Sequence, residues 1–458
     1  MKNLNIEEIL QASDGKLICG NTKQEVTGFS KDSRDITEGY IYVGIKGENF
    51  DGNNYYKNAI ENGAIGCILE EHYEKNIELS QVQNSNIIIV KDSIKALQDI
   101  AKYRRSQYNI PVVAVTGSVG KTSTKDIIAN TLAQKYDVLK TEGNNNNHIG
   151  LPLTLLRLKE HNMITVEMGM NHLGEISVLT NIAKPNVCVI TNVGTAHIGN
   201  LGSRENILKA KLEILEGMDK KGTVIINNDN DLLNKWVEEN KSNYNIITYG
   251  IHNQSDYMAY NVKETDISVE YEIKLDEGIK NIKVPVSGEP FVYNSLCALA
   301  VAKVCNIDFD KAITGIANFE LTKNRMEITK NNGVTIINDS YNASYDSMKA
   351  ALNYLKITTG ARKIAVLGDM LELGEFEQEL HEKVGDEVVR NNIDILITIG
   401  KRAKYIAQNA KKSENIKIYT YENNDEATSK IKELLKQDDV VLFKASNSMK
   451  LSQIIAKL

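Results

Sequence analysis

The stretch Thr116-Gly117-Ser118-Val119-Gly120-Lys121-Thr122, continued by Ser123, has the residue types that hold a nucleoside triphosphate. Glycines let backbone N–H groups turn towards an anion, and a helix that begins at such a loop adds its positive end. Lys121 is then placed to reach the terminal phosphates and the Thr122 hydroxyl to ligate Mg²⁺. The loop departs from the common spacing G-x-x-x-x-G-K-[ST]. Its first glycine would fall on Val115, so the loop is shorter than usual.

Two further ionisable residues fall where ligands gather in open parallel sheets, just past the carboxyl ends of strands. Glu167 ends the run Met163-Ile164-Thr165-Val166, and His197 follows Val187 to Thr191 by a few residues. A carboxylate there can hold the Mg²⁺ that bridges phosphates. Alone, each reads first as a surface or loop residue; sharing an edge with the phosphate loop reverses that reading in favour of a site. Lys211 falls at helical spacing between Ile207 and Ile214, on an apolar stripe, where it must snorkel, pair or lose its charge.

Three polar segments complete the set. Asn144 to Asn147 follows Thr141-Glu142-Gly143 and reads as a loop, either a plain turn or a ligand contact. Asp339 lies just past the apolar run Val334 to Asn338, where it can accept hydrogen bonds from a ribose, and Asn342 follows it. Arg325 in Asn324-Arg325-Met326-Glu327 can offset phosphoryl charge. Asp339 and Arg325 also read as a cap or a surface ion pair.

The elements that must position these groups are legible as short apolar runs. The strand Pro111 to Val115 precedes the phosphate loop, and Lys125 to Gln134 follows it with helical spacing. Residues 1–92 carry short strands such as 40–45 and 87–90 among turns, which predicts a small mixed α/β domain. Across 93–320, strands at 111–115, 163–167, 187–191 and 223–227 alternate with helices, Ser203 to Glu216 among them, which predicts a parallel sheet covered by helices. The alternation repeats in 321–458, with strands at 334–338, 363–367, 393–399, 416–419 and 439–443. The fold class expected is α/β in three domains, with a boundary near Thr322-Lys323-Asn324.

A length of 458 residues fits about three domains. A net charge of −6 argues against nucleic acid as the main partner. Met1 to Glu8 has no basic and apolar leader pattern, and no apolar run approaches the ~18 residues of a membrane span. Cys19, Cys67, Cys188, Cys297 and Cys305 are scattered without C-x-x-C, as reduced core residues of a cytoplasmic protein would be.

Together these segments resemble the Mur ligase family. The resemblance covers Asp32-Ser33-Arg34 with Lys46-Gly47-Glu48, the phosphate loop, and Thr141-Glu142-Gly143-Asn144 through Leu151-Pro152-Leu153. It continues in Glu167-Met168-Gly169, Ala196-His197, Lys209-Ala210-Lys211, Asn324-Arg325-Met326, the Asp339 segment and Val366 to Gly374. It implies an N-terminal domain for a UDP-sugar (1–92), a central ATP-binding domain (93–320) and a Rossmann-like C-terminal domain for the amine substrate (321–458). The activity implied is ATP-dependent joining of D-alanyl-D-alanine to UDP-N-acetylmuramoyl-tripeptide, in cytoplasmic peptidoglycan precursor synthesis, by a monomer that binds neither nucleic acid nor membrane.

The resemblance also assigns residues. Gly117 to Ser123 hold ATP, and Lys121, Glu167, His197 and Lys211 are the implied catalytic residues. Thr122, Glu167 and His197 serve two Mg²⁺ ions. Lys211 matches a lysine that is carbamylated in related ligases. Asn294 matches an adenine contact, Asp339 a ribose contact, and Arg325 approaches the phosphates. Asp32, Ser33, Arg34, Lys46, Thr141, Asn144, Asn147 and Asn342 are the implied substrate contacts. His148 stands where relatives often carry an acid, and Ala445 and Asn447 replace glycine and arginine of a K-G-S-R-x-M-K segment. Alternative readings are the ligase that adds the third amino acid, whose D-N-P motif has no counterpart here, and a phosphate-loop NTPase switch that ligates nothing.

Overall fold

The computed structural model describes residues 3–82, 84–276 and 278–458. Three α/β units follow one another along the chain, each with its own sheet. In the first, strands run in the order Lys16–Cys19, Asn86–Val90, Gly66–Glu70, Tyr40–Val43, Gly28–Ser30, all parallel except the first pair.

The second sheet positions the site. Its strand Val112–Thr116 lies between Met163–Glu167 on one side and Val187–Ile190 on the other, all parallel. Each of these strands is buried at every position, as a sheet covered on both faces requires. The chain therefore leaves three adjacent strands at one edge, and the phosphate loop, Glu167 and the loop leading to His197 emerge side by side. Beyond them the sheet continues through Thr223–Asn227 and Asn245–Gly250.

The expected alternation across 93–320 does not hold throughout. Tyr257–Glu264, Val269–Leu275 and Gly278–Val284 form an antiparallel extension at the far edge of the second sheet. Its signal is period-two alternation, with Tyr257, Ala259, Tyr271, Ile273, Ile282 and Val284 inward and polar residues outward. Helix Glu289–Val304 packs over this extension and against the phosphate-loop helix. That second helix begins at Lys121 rather than Lys125, after the left-handed cap at Gly120; its polar first turn carries no apolar periodicity from which the start could be read. The expected helix Ser203 to Glu216 is an α-helix, Arg204–Leu212, followed by a 3-10 turn, Glu213–Leu215.

The third sheet runs Glu327–Asn331, Val334–Asn338, Val440–Lys444, Lys363–Gly368, Ile395–Ile399, Lys417–Tyr421, antiparallel only in its first pair. Between the second and third sheets Thr322 Oγ1 donates to Asp126 Oδ2 at 2.7 Å, tying the connecting segment to the phosphate-loop helix.

Candidate active site

A cleft of about 970 Å³ opens between the second and third units. The phosphate loop forms one wall. Gly117 is forced on the sequence here: its φ is +154°, and a Cβ would lie 1.9 Å from Thr191 Oγ1. Gly120 caps the helix Lys121–Leu132 with a left-handed backbone and no side-chain cap, leaving the first helical N–H groups for an anion. The loop is pinned from its neighbour strand. Val119 N–H donates to Asn192 Oδ1 at 2.9 Å, and Thr191 Oγ1 donates to Val119 O at 2.8 Å.

Lys121 Nζ folds back on its own loop and donates to Gly117 O at 2.8 Å. Burial pushes its pKa down, opposed by the nearby Glu167 carboxylate. An ammonium held this way exchanges a carbonyl for a phosphate oxygen without moving far. Thr122 Oγ1 donates to Glu167 Oε2 at 2.7 Å, and Asn146 Nδ2 donates to the other oxygen, Oε1, at 2.7 Å. Glu167 N–H donates to Thr141 Oγ1 at 3.0 Å. The hydroxyl and carboxylate are hard oxygen donors at hydrogen-bond distance, a pair that fits Mg²⁺.

His197 does not join that pair. Its backbone is left-handed (φ 64°), and its Nδ1 lies 2.6 Å from Glu372 Oε2 of the third unit. Glu372 is itself left-handed (φ 64°), and its carbonyl accepts from Gly199 N at 3.0 Å. Two non-glycine residues in this sparsely used region, facing each other across a cleft, are the kind of strain that sites retain. The contact holds the Glu372 carboxyl below its ordinary pKa, with burial opposing.

Lys211 is 1 % exposed, in line with the buried residues Ile207 and Ile214. Burial first, and Lys121 second, push its pKa well down. Its side chain is buried with no salt bridge or hydrogen-bond partner among the described residues, so of the outcomes open to a lysine on an apolar stripe, snorkelling to solvent is not the one seen.

The opposite wall is built by the third unit. Arg325 stacks its guanidinium 3.9 Å from the Tyr341 ring centroid, and its buried Nε has no hydrogen-bond partner. Asp339 Oδ2 accepts from the buried Lys444 Nζ at 2.6 Å, and Lys444 also donates to Asn342 O at 2.9 Å. Asn294 Oδ1 accepts from Thr124 Oγ1 at 2.8 Å, next to the phosphate loop, which leaves its amide N–H groups for a ligand.

Not every expected residue reaches the cleft. Lys121, Thr122, Glu167, His197, Asn294, Arg325 and Asp339 line it, as do Ser118 to Gly120, Ser123, Asn144, Asn147 and Asn342. Gly117 and Thr141 stand behind the wall, Thr141 as the fully buried brace of Glu167, and Asn147 uses its Oδ1 to cap the helix Gly150–Leu156. Lys211 does not line the cleft either. Asp32, Ser33, Arg34 and Lys46 lie on the first unit, away from it. There Arg34 holds the Asp32 carboxyl down to about 2, and Lys46 pairs through its backbone with Asp51 in an isolated antiparallel β-bridge. Sequence reading missed Asn146, Asn192 and Glu372. Asn146 sat inside a run of four asparagines that gave no reason to choose among them.

The chain matches three family models: Mur ligase family, catalytic domain, over residues 25–105; Mur ligase middle domain over 115–302; and Mur ligase, glutamate ligase domain, over 324–447. It is 37% identical over 459 residues to a UDP-N-acetylmuramoyl-tripeptide--D-alanyl-D-alanine ligase of Bacillus subtilis (strain 168), covering 99% of this chain and 98% of that one. Among solved structures it resembles a MurF of Acinetobacter baumannii, with a TM-score of 0.90 and 29% identity over 100% of this chain and 99% of the other. It also resembles a MurF ligase of Thermotoga maritima in complex with ADP, with a TM-score of 0.81 and 29% identity over 94% of this chain and 96% of that one.

Proposed function

The chain belongs to the Mur ligase family, and from that premise we propose that it joins D-alanyl-D-alanine to UDP-N-acetylmuramoyl-tripeptide, using ATP. The observation that carries the reading is one cleft shared by two units. A phosphate loop with Lys121, Thr122 and Glu167 faces Arg325 and Asp339 of the unit that would present the amine.

A free carboxylate is a poor acyl donor. Its oxygen attacks the γ-phosphorus of ATP, ADP leaves, and the product is an acyl phosphate. The amine of D-alanyl-D-alanine then attacks the acyl carbon, a tetrahedral intermediate forms, and inorganic phosphate leaves with the original carboxylate oxygen. Lys121, the loop N–H groups and Arg325 offset charge on the phosphoryl oxygens. Thr122 and Glu167 would hold Mg²⁺, with His197 at a second site, and the ion would supply positive charge against the phosphates. Asn294 and Asp339 orient the nucleoside, and closing of the C-terminal unit over the cleft would keep water from the acyl phosphate. Asp32, Ser33, Arg34 and Lys46 of the first unit serve the UDP-sugar, with Asn144, Asn147 and Asn342 towards the peptide. An amine as buried and as easily neutralised as Lys211 suits reaction with CO₂, and its carbamate would give a carboxylate beside Lys121.

One chain supplies every group in this scheme, which supports a monomer. No helix among the described residues is long and apolar enough to cross a membrane, and a reaction fed by ATP and a UDP-linked precursor belongs in the cytoplasm. The test is phosphate release from ATP with the tripeptide nucleotide, with the dipeptide, and with both. Release that needs both supports the ligase. Release indifferent to either would favour an NTPase switch.

A further inference from the structure

The loop from Thr191 to His197 is held from two sides. Towards the phosphate loop, Asn192 and Thr191 grip Val119, and Gly194 N–H donates to Ser118 Oγ at 2.9 Å. Towards the third unit, Thr195 N–H and Thr195 Oγ1 both donate to Asp346 Oδ2, at 2.7 Å and 2.8 Å. A single peptide unit separates the bond to the phosphate loop from the bonds to Asp346. The approach is close: a Cβ on Gly194 would lie 2.3 Å from the same carboxylate oxygen. Behind the loop Arg204 Nη2 donates to Val193 O at 2.8 Å, so the loop has little freedom to give.

Asp346 sits in the first turn of helix Tyr345–Ile357, which runs along the cleft wall. The other end of that helix is fixed to the second unit as well. Tyr354 Oη donates to Asp266 O at 2.9 Å, and Thr359 N–H donates to Asp266 Oδ1 at 3.2 Å. Asp266 lies in the turn between Tyr257–Glu264 and Val269–Leu275. The helix is therefore pinned at both ends to the nucleotide-binding unit, and only the Asp346 end reaches the phosphate loop.

We propose that Asp346 is a positioning residue that couples docking of the C-terminal unit to the shape of the phosphate loop, through Thr195, Gly194 and Ser118. With the unit docked, Asp346 holds Thr195, and the Gly194 N–H stays aimed at Ser118. With the unit swung away, the carboxylate leaves, and the loop that braces Ser118 and Val119 loses an anchor. The consequence for turnover rests on the ligase reading; the docking itself does not.

The experiment compares the wild-type chain with Asp346→Ala, Thr195→Val and the double variant, in steady-state ligation and in small-angle scattering with ADP and Mg²⁺. Loss of two bonds to a carboxylate predicts a kcat about tenfold to a hundredfold lower for Asp346→Ala. The KM for the tripeptide nucleotide, which the first unit would bind, stays unchanged. Thr195→Val keeps the backbone donor and loses less, and the double variant is no worse than Asp346→Ala alone. The radius of gyration of Asp346→Ala exceeds that of wild type. Gly194→Ala, which pushes the carboxylate off while leaving it in place on its helix, gives the same kcat loss and replaces Asp346→Ala if that variant does not fold. Additive losses in the double variant, or an unchanged radius together with an unchanged kcat, would overturn the proposal. If wild type itself ligates nothing, the ligase reading fails, and the scattering alone decides the docking.

Discussion

Thr122 and Glu167 meet at 2.7 Å across adjacent parallel strands, one from the phosphate loop and one from the end of Met163–Glu167. The bond joins the first turn of one helix to the last residue of a strand 45 positions on. It brings the hydroxyl and the carboxylate that suit Mg²⁺ into one place before any ligand arrives. Asn146 holds the carboxylate from its other side and Thr141 accepts from the Glu167 backbone N–H, so the carboxylate's orientation is set by the fold and does not depend on the ligand.

Glu167→Gln is expected to keep the shape and lose the charge. A hydrogen bond to a charged group contributes about 1.5–3 kcal/mol, against about 1 for a neutral one, so the fold should lose little. Turnover should fall on the order of a hundredfold, with half-maximal activity moved to higher Mg²⁺. A Mg²⁺ titration of phosphate release reads both. An unchanged Mg²⁺ dependence would remove Glu167 from the metal site.

Lys121→Ala should abolish turnover, by on the order of a thousandfold or more, with an unchanged or slightly raised melting temperature. The stability direction follows from burial, which already disfavours the Lys121 charge. Thermal melting and phosphate release on the same sample check it. Substantial residual ligation would contradict the assignment of the phosphate loop.

The His197–Glu372 contact makes a pH prediction. The folded Glu372 carboxyl has a pKa lowered from 4.5, chiefly by His197. A lowered carboxylate stabilises the fold above the unfolded pKa and loses that contribution as pH falls through the folded one. The contact should therefore be fully present at neutral pH and weaken only below about 4.5. Glu372→Gln should flatten the acid side of the stability curve and leave the neutral side nearly unchanged. Urea unfolding between pH 6 and pH 3 reads the slopes, on the acid side of the ordinary carboxylate range. Parallel curves would show that the pair contributes nothing.

Lys211 is expected to form a carbamate. Enzyme prepared without CO₂ should lose activity and regain it with bicarbonate, and ¹³C-bicarbonate should give a bound carbamate resonance that Lys211→Met lacks. Activity indifferent to CO₂, with no such resonance, would leave Lys211 a neutral buried amine.

What was legible in the sequence was local. The buried strand before Gly117, the helix after Lys121 and the apolar stripe around Lys211 each lie within a dozen residues, where hydrophobic period and glycine placement carry the signal. Glu167 and His197 could be found because strand ends in a parallel sheet share an edge. The antiparallel extension escaped although Val269–Leu275 alternates strictly, because the strand–helix alternation read across 93–320 was carried past the last parallel strand. Contacts between units left no trace at all. Thr195 and Asp346 lie 151 residues apart, and nothing near either one names the other. The same holds for His197 and Glu372. Thr141 entered the substrate contacts through the resemblance; in the fold it lies behind the cleft wall, where its hydroxyl accepts from the Glu167 backbone N–H.

The transfer of oxygen tests the chemistry from within. Tripeptide nucleotide labelled with ¹⁸O in its terminal carboxylate should deliver one labelled oxygen to each inorganic phosphate released, because the acyl phosphate breaks at its carbon. Unlabelled phosphate would exclude an acyl phosphate.

The most direct measurement is the mass of the nucleotide product after incubation with ATP, Mg²⁺, UDP-N-acetylmuramoyl-tripeptide and D-alanyl-D-alanine. The account predicts a product heavier by one dipeptide less one water, formed in step with ADP. Tripeptide nucleotide recovered unchanged while ADP accumulates would contradict it.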